Sequence, residues 1–451
     1  MIQNIPNKFK PFPVYKGGVQ PPDFETMPLT FKALQNNSTM VLSSAGTPNP
    51  NQFYTSKNGG EWAAYTLGNS IALNQDDTVA FKGTSISGGA VDWENRYTFG
   101  GTGKIAAEGN VLSLINFNDD VSGQVDVRLF YQNKNIVDAK NLLFKFKKFN
   151  NNYTCNRTFE NCTSLTAAPK YIGIENVNNC TNSFANMFQN CSSMIIGPEI
   201  IDANSLYNYS CQYMFSNCYA LTGAPELPAT NVNYKCYRQM FDQCRLMVKP
   251  PSILPAKTAG DGCYDNMFNG CYKLSYAPVI GLSSIPNSGC AWMFNFCTSL
   301  KEAPQISASY IGEYGCHNMF KACTLLTKIP EYFLSGTNLT HSSCASMFEL
   351  NTALRNIPEL HFGTISGNSA LRTAFSGCTS LTAAPEITID VNNGESNLLS
   401  MFDSCSKIIS AGPLHIKNTG PSGMQYMFFK CSGLVTPPDM QDLTGISSYG
   451  I

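Results

Sequence analysis

The apolar positions of this chain recur at a fixed interval over most of its length. Residues 290–304 read CAWMFNFCTSLKEAP, one copy of the skeleton CxxMFxxCxxLxxxP. With the Phe as marker, copies fall at Phe159, Phe188, Phe215, Phe241, Phe268, Phe294, Phe320, Phe348, Phe375, Phe402 and Phe428, eleven units spaced 26 to 29 residues apart. A period in this range predicts a solenoid, in which a unit too small to bury its own apolar face stacks on the next copy. Ten of the eleven units carry Pro ten residues after the marker; the other has Gly412 there and Pro413 one residue later. Proline cannot donate to a ladder of hydrogen bonds, so it should bound a strand. The segment between the second Cys and that Pro, such as residues 381–384, is expected to pair with its copies above and below. Parallel strands stacked this way advance about 4.8 Å per coil, which makes eleven coils roughly 50 Å long.

The same register predicts the interior. In the 290–304 unit Met293, Phe294, Cys297, Leu300 and Pro304 are the expected structural core, and Met precedes the marker in nine units. A Met and Phe stripe repeated once per coil reads as packing rather than as a ligand-binding box.

Ahead of the repeats the pattern changes to short alternating stretches. Over residues 28–118 these are 29–34, 39–42, 53–56, 62–66, 78–82 and 95–99, separated by Gly, Asn and Asp. Residues 58–60, NGG, suit the positive φ of a tight hairpin turn. The expected structure is a β-sandwich in which Trp62 and Trp93 serve packing rather than a sugar platform. Residues 119–153, with an alternating run over 142–149, are expected to cap the first coil. The Pro- and Lys-rich residues 1–27 read as an extended docking arm, or as a terminus without fixed structure. Residues 441–451 form a tail beyond repeats that span 154–440. The predicted fold is mainly β with short helical turns, an N-terminal β-sandwich followed by an eleven-coil solenoid.

Composition narrows the function. Lys plus Arg number 30 against 31 Asp plus Glu, and 14% of residues are charged, which argues against non-specific nucleic-acid binding. No apolar run reaches the length of a membrane span. The start lacks the apolar core and small-residue cleavage site of a secretory signal, so synthesis and folding in a cytoplasm are expected.

Eighteen cysteines raise the question of disulfides or zinc, and all lie from Cys155 onward. Ten stand three residues after the marker, where the Phe348 unit has Asn351 instead. Seven more precede the marker by four or five residues, and there the last three units carry Leu371, Leu398 and Met424. Leu neither binds a metal nor closes a disulfide, so a position that accepts it is an apolar packing site. The reading is a buried free thiol, behaving as a small hydrophobe, in preference to scattered disulfides or zinc. His317, His341, His361 and His415 lie in separate coils with no carboxylate or Cys at ligand spacing in sequence. No catalytic constellation, metal site or cofactor is expected.

One outward feature stands out. Glu199, Glu226, Glu331, Glu359 and Glu386 each directly follow a framework Pro. Stacking would align them in an acidic stripe, either fanned into water or facing a basic partner or divalent cations.

The unit resembles that of the BspA-like leucine-rich repeats, whose copies read roughly FxxCxxLxxxxLP, over about residues 155–440. Asn351 in place of Cys agrees with the interchange of these two residues in leucine-rich repeats. The resemblance implies a curved solenoid used in extracellular adhesion or recognition, and it implies no catalysis. A sandwich-like leader before MFxxCxxLTxAP repeats is also similar to chains of gut bacteria and of the tailed phages that infect them. The start of this chain departs from the secreted bacterial pattern. The expectation is therefore a non-enzymatic bacteriophage structural or adhesion protein at the virion surface. Its arm and sandwich would attach to other virion or surface proteins, and its solenoid would contact a host surface glycan or protein. Neither nucleic acid nor a membrane span is expected, and the oligomeric state is left open. The alternative is a bacterial cell-surface or exported adhesin of the same repeat type.

Overall fold

The computed structural model describes residues 26–46, 51–84, 96–117, 120–121, 128–149, 152–177, 180–416 and 422–440. The expected arm, apart from Thr26 and Met27, lies outside the described residues, as do the tail and Trp93.

Alternation builds the N-terminal region as expected. Its strands are β1 (Leu29–Ala33), β2 (Ser38–Ala45), β3 (Phe53–Lys57), β4 (Ala63–Tyr65), β5 (Ile71–Leu73), β6 (Thr78–Gly83), β7 (Arg96–Thr102) and β8 (Ile105–Asn110). In β2 and β6 nearly every second side chain is buried, so each strand shows one face to a core. One sheet runs in the order β8-β1-β6-β3-β4 and faces a three-stranded sheet, β5-β2-β7. The core between them is aromatic, with the Phe99 ring 4.7 Å from Phe31 and 5.0 Å from Phe81. Trp62 departs from its expected role. It precedes the edge strand β4, is 37% exposed, and holds the Lys82 ammonium 4.2 Å from its ring. An edge strand has no neighbour to cover such a side chain.

The first sheet does not end with the sandwich. After β9 (Asp120–Val121) comes β10 (Ile136–Phe149), which pairs in parallel with β8 through its first half and with β11 (Tyr171–Val177) through its second. Strand β12 (Ile200–Asp202) continues the same sheet into the repeats. Sandwich and solenoid are therefore joined by continuous hydrogen bonding.

Within each coil the CxxMFxxC run is a chain of turns rather than a helix. Residues at six and two before the marker and two after it are left-handed, as in Asn182, Asn186 and Asn190 (φ 58°, 60° and 62°). Asn tolerates this region better than most residues, whereas Trp292, Phe296 and Leu350 adopt it against their preference. The conformation is held because N–H groups alternate in direction. Cys162 N–H donates within its coil to Phe159 O (3.0 Å), while Phe159 N–H donates to Met187 O of the next coil (2.8 Å). The second bond recurs at every junction between marker units, at 2.8 to 2.9 Å, with Ala374 replacing Met once.

The Pro boundary holds, but pairing is not confined to its N-terminal side. Before the Pro, most coils make isolated parallel bridges, such as Gly223 to Lys249, and among the described residues only 383–384 and 410–411 pair as strands. Longer pairing lies after it, as in Leu360–Ile365 with Ile387–Asn392 and then Leu414–Ile416. Proline lacks one donor but imposes an extended approach, and the next residues resume the ladder.

The marker rings form one column. From Phe159 to Phe428 successive centroids are 5.1 to 5.6 Å apart, with planes within 11° of parallel. The column also runs backward, to Phe130 at 4.8 Å and then Phe99 at 5.8 Å. Phe130 precedes Phe159 by 29 residues, the interval that also separates Phe159 from Phe188. Its N–H donates to Thr158 O at 2.8 Å, and Cys162 Sγ donates to its carbonyl at 2.9 Å. Three residues on, buried Asn133 replaces the framework Cys and donates to Phe99 O at 3.0 Å. Residues 119–153 thus contain a degenerate coil that splices the sandwich to the repeats.

Two stability changes follow. Phe294→Ala in mid-column should cost about 3–5 kcal/mol, read as a lower urea midpoint. Asn351 is buried with neither amide atom hydrogen-bonded. Asn351→Cys should therefore raise the midpoint, by about 1–3 kcal/mol, by removing orphaned polar atoms and restoring an S–H donor.

Candidate binding surface

The interior is chemically quiet. All eighteen cysteines are free and buried, including Cys180, which neither register position accommodates. Thiols three residues after the marker donate to the Phe carbonyl of the preceding coil, as Cys191 does to Phe159 O (3.0 Å) and Cys323 to Phe294 O (3.1 Å). That carbonyl accepts twice, since Phe159 O also receives Cys162 N–H. Burial pushes the Cys236, Cys290 and Cys405 thiols up to about 12, and Cys431, in the last coil, up to about 11. Cys191, Cys244 and Cys297 lie well above the ordinary thiol range for the same reason. In Cys316 a hydrogen bond to the Cys344 thiol leads, ahead of burial. A neutral, desolvated thiol is a poor nucleophile and a poor metal ligand. Met293, Phe294, Cys297 and Leu300 are fully buried, with Pro304 half-buried at the coil edge.

The outward positions are sorted into faces by stacking. The five post-Pro glutamates are at or near the surface. Glu226 N–H donates to Glu199 O at 3.0 Å, which places these two in adjacent coils of one column. Leu360 N–H donates to Glu386 O at 3.0 Å, which sets Glu359 beside Glu386. The column does not converge on a point. Glu226 Oε2 accepts from the Ser252 hydroxyl (2.7 Å), and Glu386 Oε1 lies 3.3 Å from His415 Nε2. Among the described residues no three His, Cys, Asp or Glu side chains are grouped to hold a metal.

Stacking also makes pairs that spacing within one coil hides. His361 Nε2 lies 2.9 Å from Asp390 Oδ1, besides the His415 pair, so two histidines do meet carboxylates, across coils. Tyr314 Oη lies 3.2 Å from His341 Nε2, and His317 packs edge-on to Trp292 and Tyr314. Burial, aided by Lys321, holds the His317 pKa below the usual imidazole range.

The opposite charge gathers on the other side of the framework Pro, in six of the eleven units. Over the eleven units, positions four to eight after the marker carry seven cations, Arg245, Lys249, Lys273, Lys301, Lys328, Arg355 and Lys407, all exposed. The single carboxylate there is Glu302, 2.5 Å from Lys328. In a chain of net charge −1 this is segregation, not excess. The same positions expose Tyr219 (39%), Tyr272 (37%) and Tyr276 (50%), with Leu246 and Val248 between them. The Arg245 guanidinium lies 4.6 Å from the Tyr219 ring centroid. Backbone groups beneath are engaged, as Val248 N–H to Thr222 O (3.0 Å) and Thr327 N–H to Lys301 O (2.9 Å) show. The surface is a flat cationic and aromatic face on a rigid support. Sequence reading missed it because its residues differ from coil to coil and belong together only after stacking.

No protein-family model matches the chain, and no curated protein matches it. Among solved structures, a leucine rich cell surface protein from Faecalibacterium prausnitzii A2-165 is similar at 17% identity. The match covers 67% of this chain and 84% of that one, with a TM-score of 0.29.

The thiols set a pH limit. Their folded pKa values are raised above the ordinary 9.0, so the unfolded chain loses these protons first and stability falls as pH rises above about 9. Denaturation midpoints should be lower at pH 10 than at pH 8. Native protein should resist thiol alkylation at pH 8 and take up eighteen labels in denaturant, read by intact mass; extensive native labelling would contradict the buried ladder.

Proposed function

We propose that the protein is a non-enzymatic recognition scaffold, with its N-terminal region facing the assembly that carries it and its solenoid facing a partner. The observation that carries this reading is the cationic, tyrosine-bearing face laid over an interior whose thiols are neutral and inaccessible. Chemistry needs a converging set of activated groups. Recognition needs what this chain offers, exposed aromatic rings and one sign of charge on a rigid ladder.

The setting we propose is the virion surface of a tailed bacteriophage, where the solenoid would meet a host surface. That setting rests on the resemblance of leader and repeats, and the same geometry suits a bacterial cell-surface adhesin equally well. Fluorescently labelled full-length protein should bind intact bacterial cells saturably, with weaker binding for the double variant Tyr272→Ala, Tyr276→Ala. Immunogold labelling of infected cultures should mark phage particles, or in the alternative the cell envelope. Absence of saturable binding, with label confined to the cytoplasm, would overturn both settings.

A further inference from the structure

Resting on that reading, we infer that the face formed by positions four to eight after each marker binds an acidic polysaccharide lying along the solenoid. Three observations select this occupant. The first is charge: the face holds its cations in five successive coils with one carboxylate among them, and beside Lys249, Lys273 and Lys301 the positions just beyond the Pro are the uncharged Ser252, Val279 and Gln305. An anionic chain is thus attracted to this stretch of the face, and the post-Pro glutamates Glu226 and Glu331 bound it in the coils before and after.

The second is the exposed tyrosines. Tyr219, Tyr272 and Tyr276 sit on a face where Leu246 and Val248 fill the intervening coil. Pyranose C–H groups carry partial positive charge and stack on the negative face of a phenol ring. Repeat spacing favours the same partner. Marker rings recur every 5.3 to 5.5 Å across these coils, close to the advance of one sugar in an extended chain. Lys249, Lys273 and Lys301 stand eight, five and seven residues after their markers, so a polymer bearing carboxylates along its length meets a cation in each coil across the width of the face.

The third is the state of the backbone. Val248 N–H and Thr222 N–H already donate to carbonyls of the preceding coils, at 3.0 and 3.3 Å. A peptide cannot add as a strand to groups already paired within the ladder. Side chains alone read the partner, which suits a polymer recognised by its ring faces and carboxylates.

The test uses the full-length chain and defined probes in biolayer interferometry. These are polygalacturonate and polysialate, their carboxyl-reduced forms, polyglutamate and polyuridylate. At least one acidic polysaccharide should bind, weaken as salt screens the charges, and lose about tenfold or more on carboxyl reduction. Tyr276→Ala should weaken binding about tenfold, and Lys249→Gln with Lys273→Gln should flatten the salt dependence. Glu359→Gln on the other face should leave binding unchanged. All these positions are exposed, and an unaltered urea midpoint will show that each variant folds. Failure of both polysaccharides, equal binding of the reduced forms, or tighter binding of polyglutamate or polyuridylate would overturn the inference. Retained binding to cells in any of those cases would leave the scaffold reading standing with a different partner.

Discussion

The structure depends on one carbonyl per coil. The marker Phe oxygen accepts the N–H three residues on in its own coil and the thiol of the next, while the Phe N–H reaches forward to the residue before the next marker. These bonds fix both the turn within a coil and the distance between coils. They also explain why cysteine recurs three residues after the Phe. The site needs a small side chain that is apolar enough to be fully buried yet can offer a weak hydrogen bond. Larger aliphatics lack the donor, and a more polar donor would need more partners than the site supplies. Asn133 meets the requirement by donating from its amide nitrogen to Phe99 O while its oxygen accepts from the Asn135 and Ile136 N–H groups. Asn351 does not, and its amide is left unmatched.

Because interior positions are occupied by this one solution, variation is pushed outward. The left-handed turn positions tolerate Asn, Ser and Gly, and also Trp and Phe, because inter-coil bonds offset the local strain. On either side of the framework Pro, unrelated residues acquire a common face only through stacking. A nearly neutral chain thereby becomes a solenoid with a cationic aromatic face and, across the Pro in other coils, clusters of glutamates, and composition alone is silent about it.

Much of the architecture was legible in the sequence for a physical reason: a side chain that must be buried in every coil must repeat. The Phe, Met, Cys, Leu and Pro positions obey that rule, and the alternating leader strands obey the corresponding rule for sheets. What escaped notice did not repeat as letters. Phe130 and Asn133 build a coil without Cys, Met or the Pro, so the spliced turn is visible only as a 29-residue interval and an Asn for Cys exchange. Pairing after the Pro involves segments of different length, whose main-chain bonds need no shared side chain. His361 with Asp390 and His415 with Glu386 are remote in sequence and adjacent in space. Trp62 was read as sandwich packing rather than a sugar platform, whereas its place beside an edge strand leaves it 37% exposed, with the Lys82 ammonium over its ring.

The ring column that begins at Phe99 in the sandwich and continues to Phe428, with β10 shared between sandwich and repeats, has a mechanical consequence. Among the described residues the sandwich passes into the solenoid through one shared strand and one ring column. Whatever grips the sandwich thereby sets the compass bearing of the stripes farther along, so the direction in which the tyrosines point is decided at the root of the molecule.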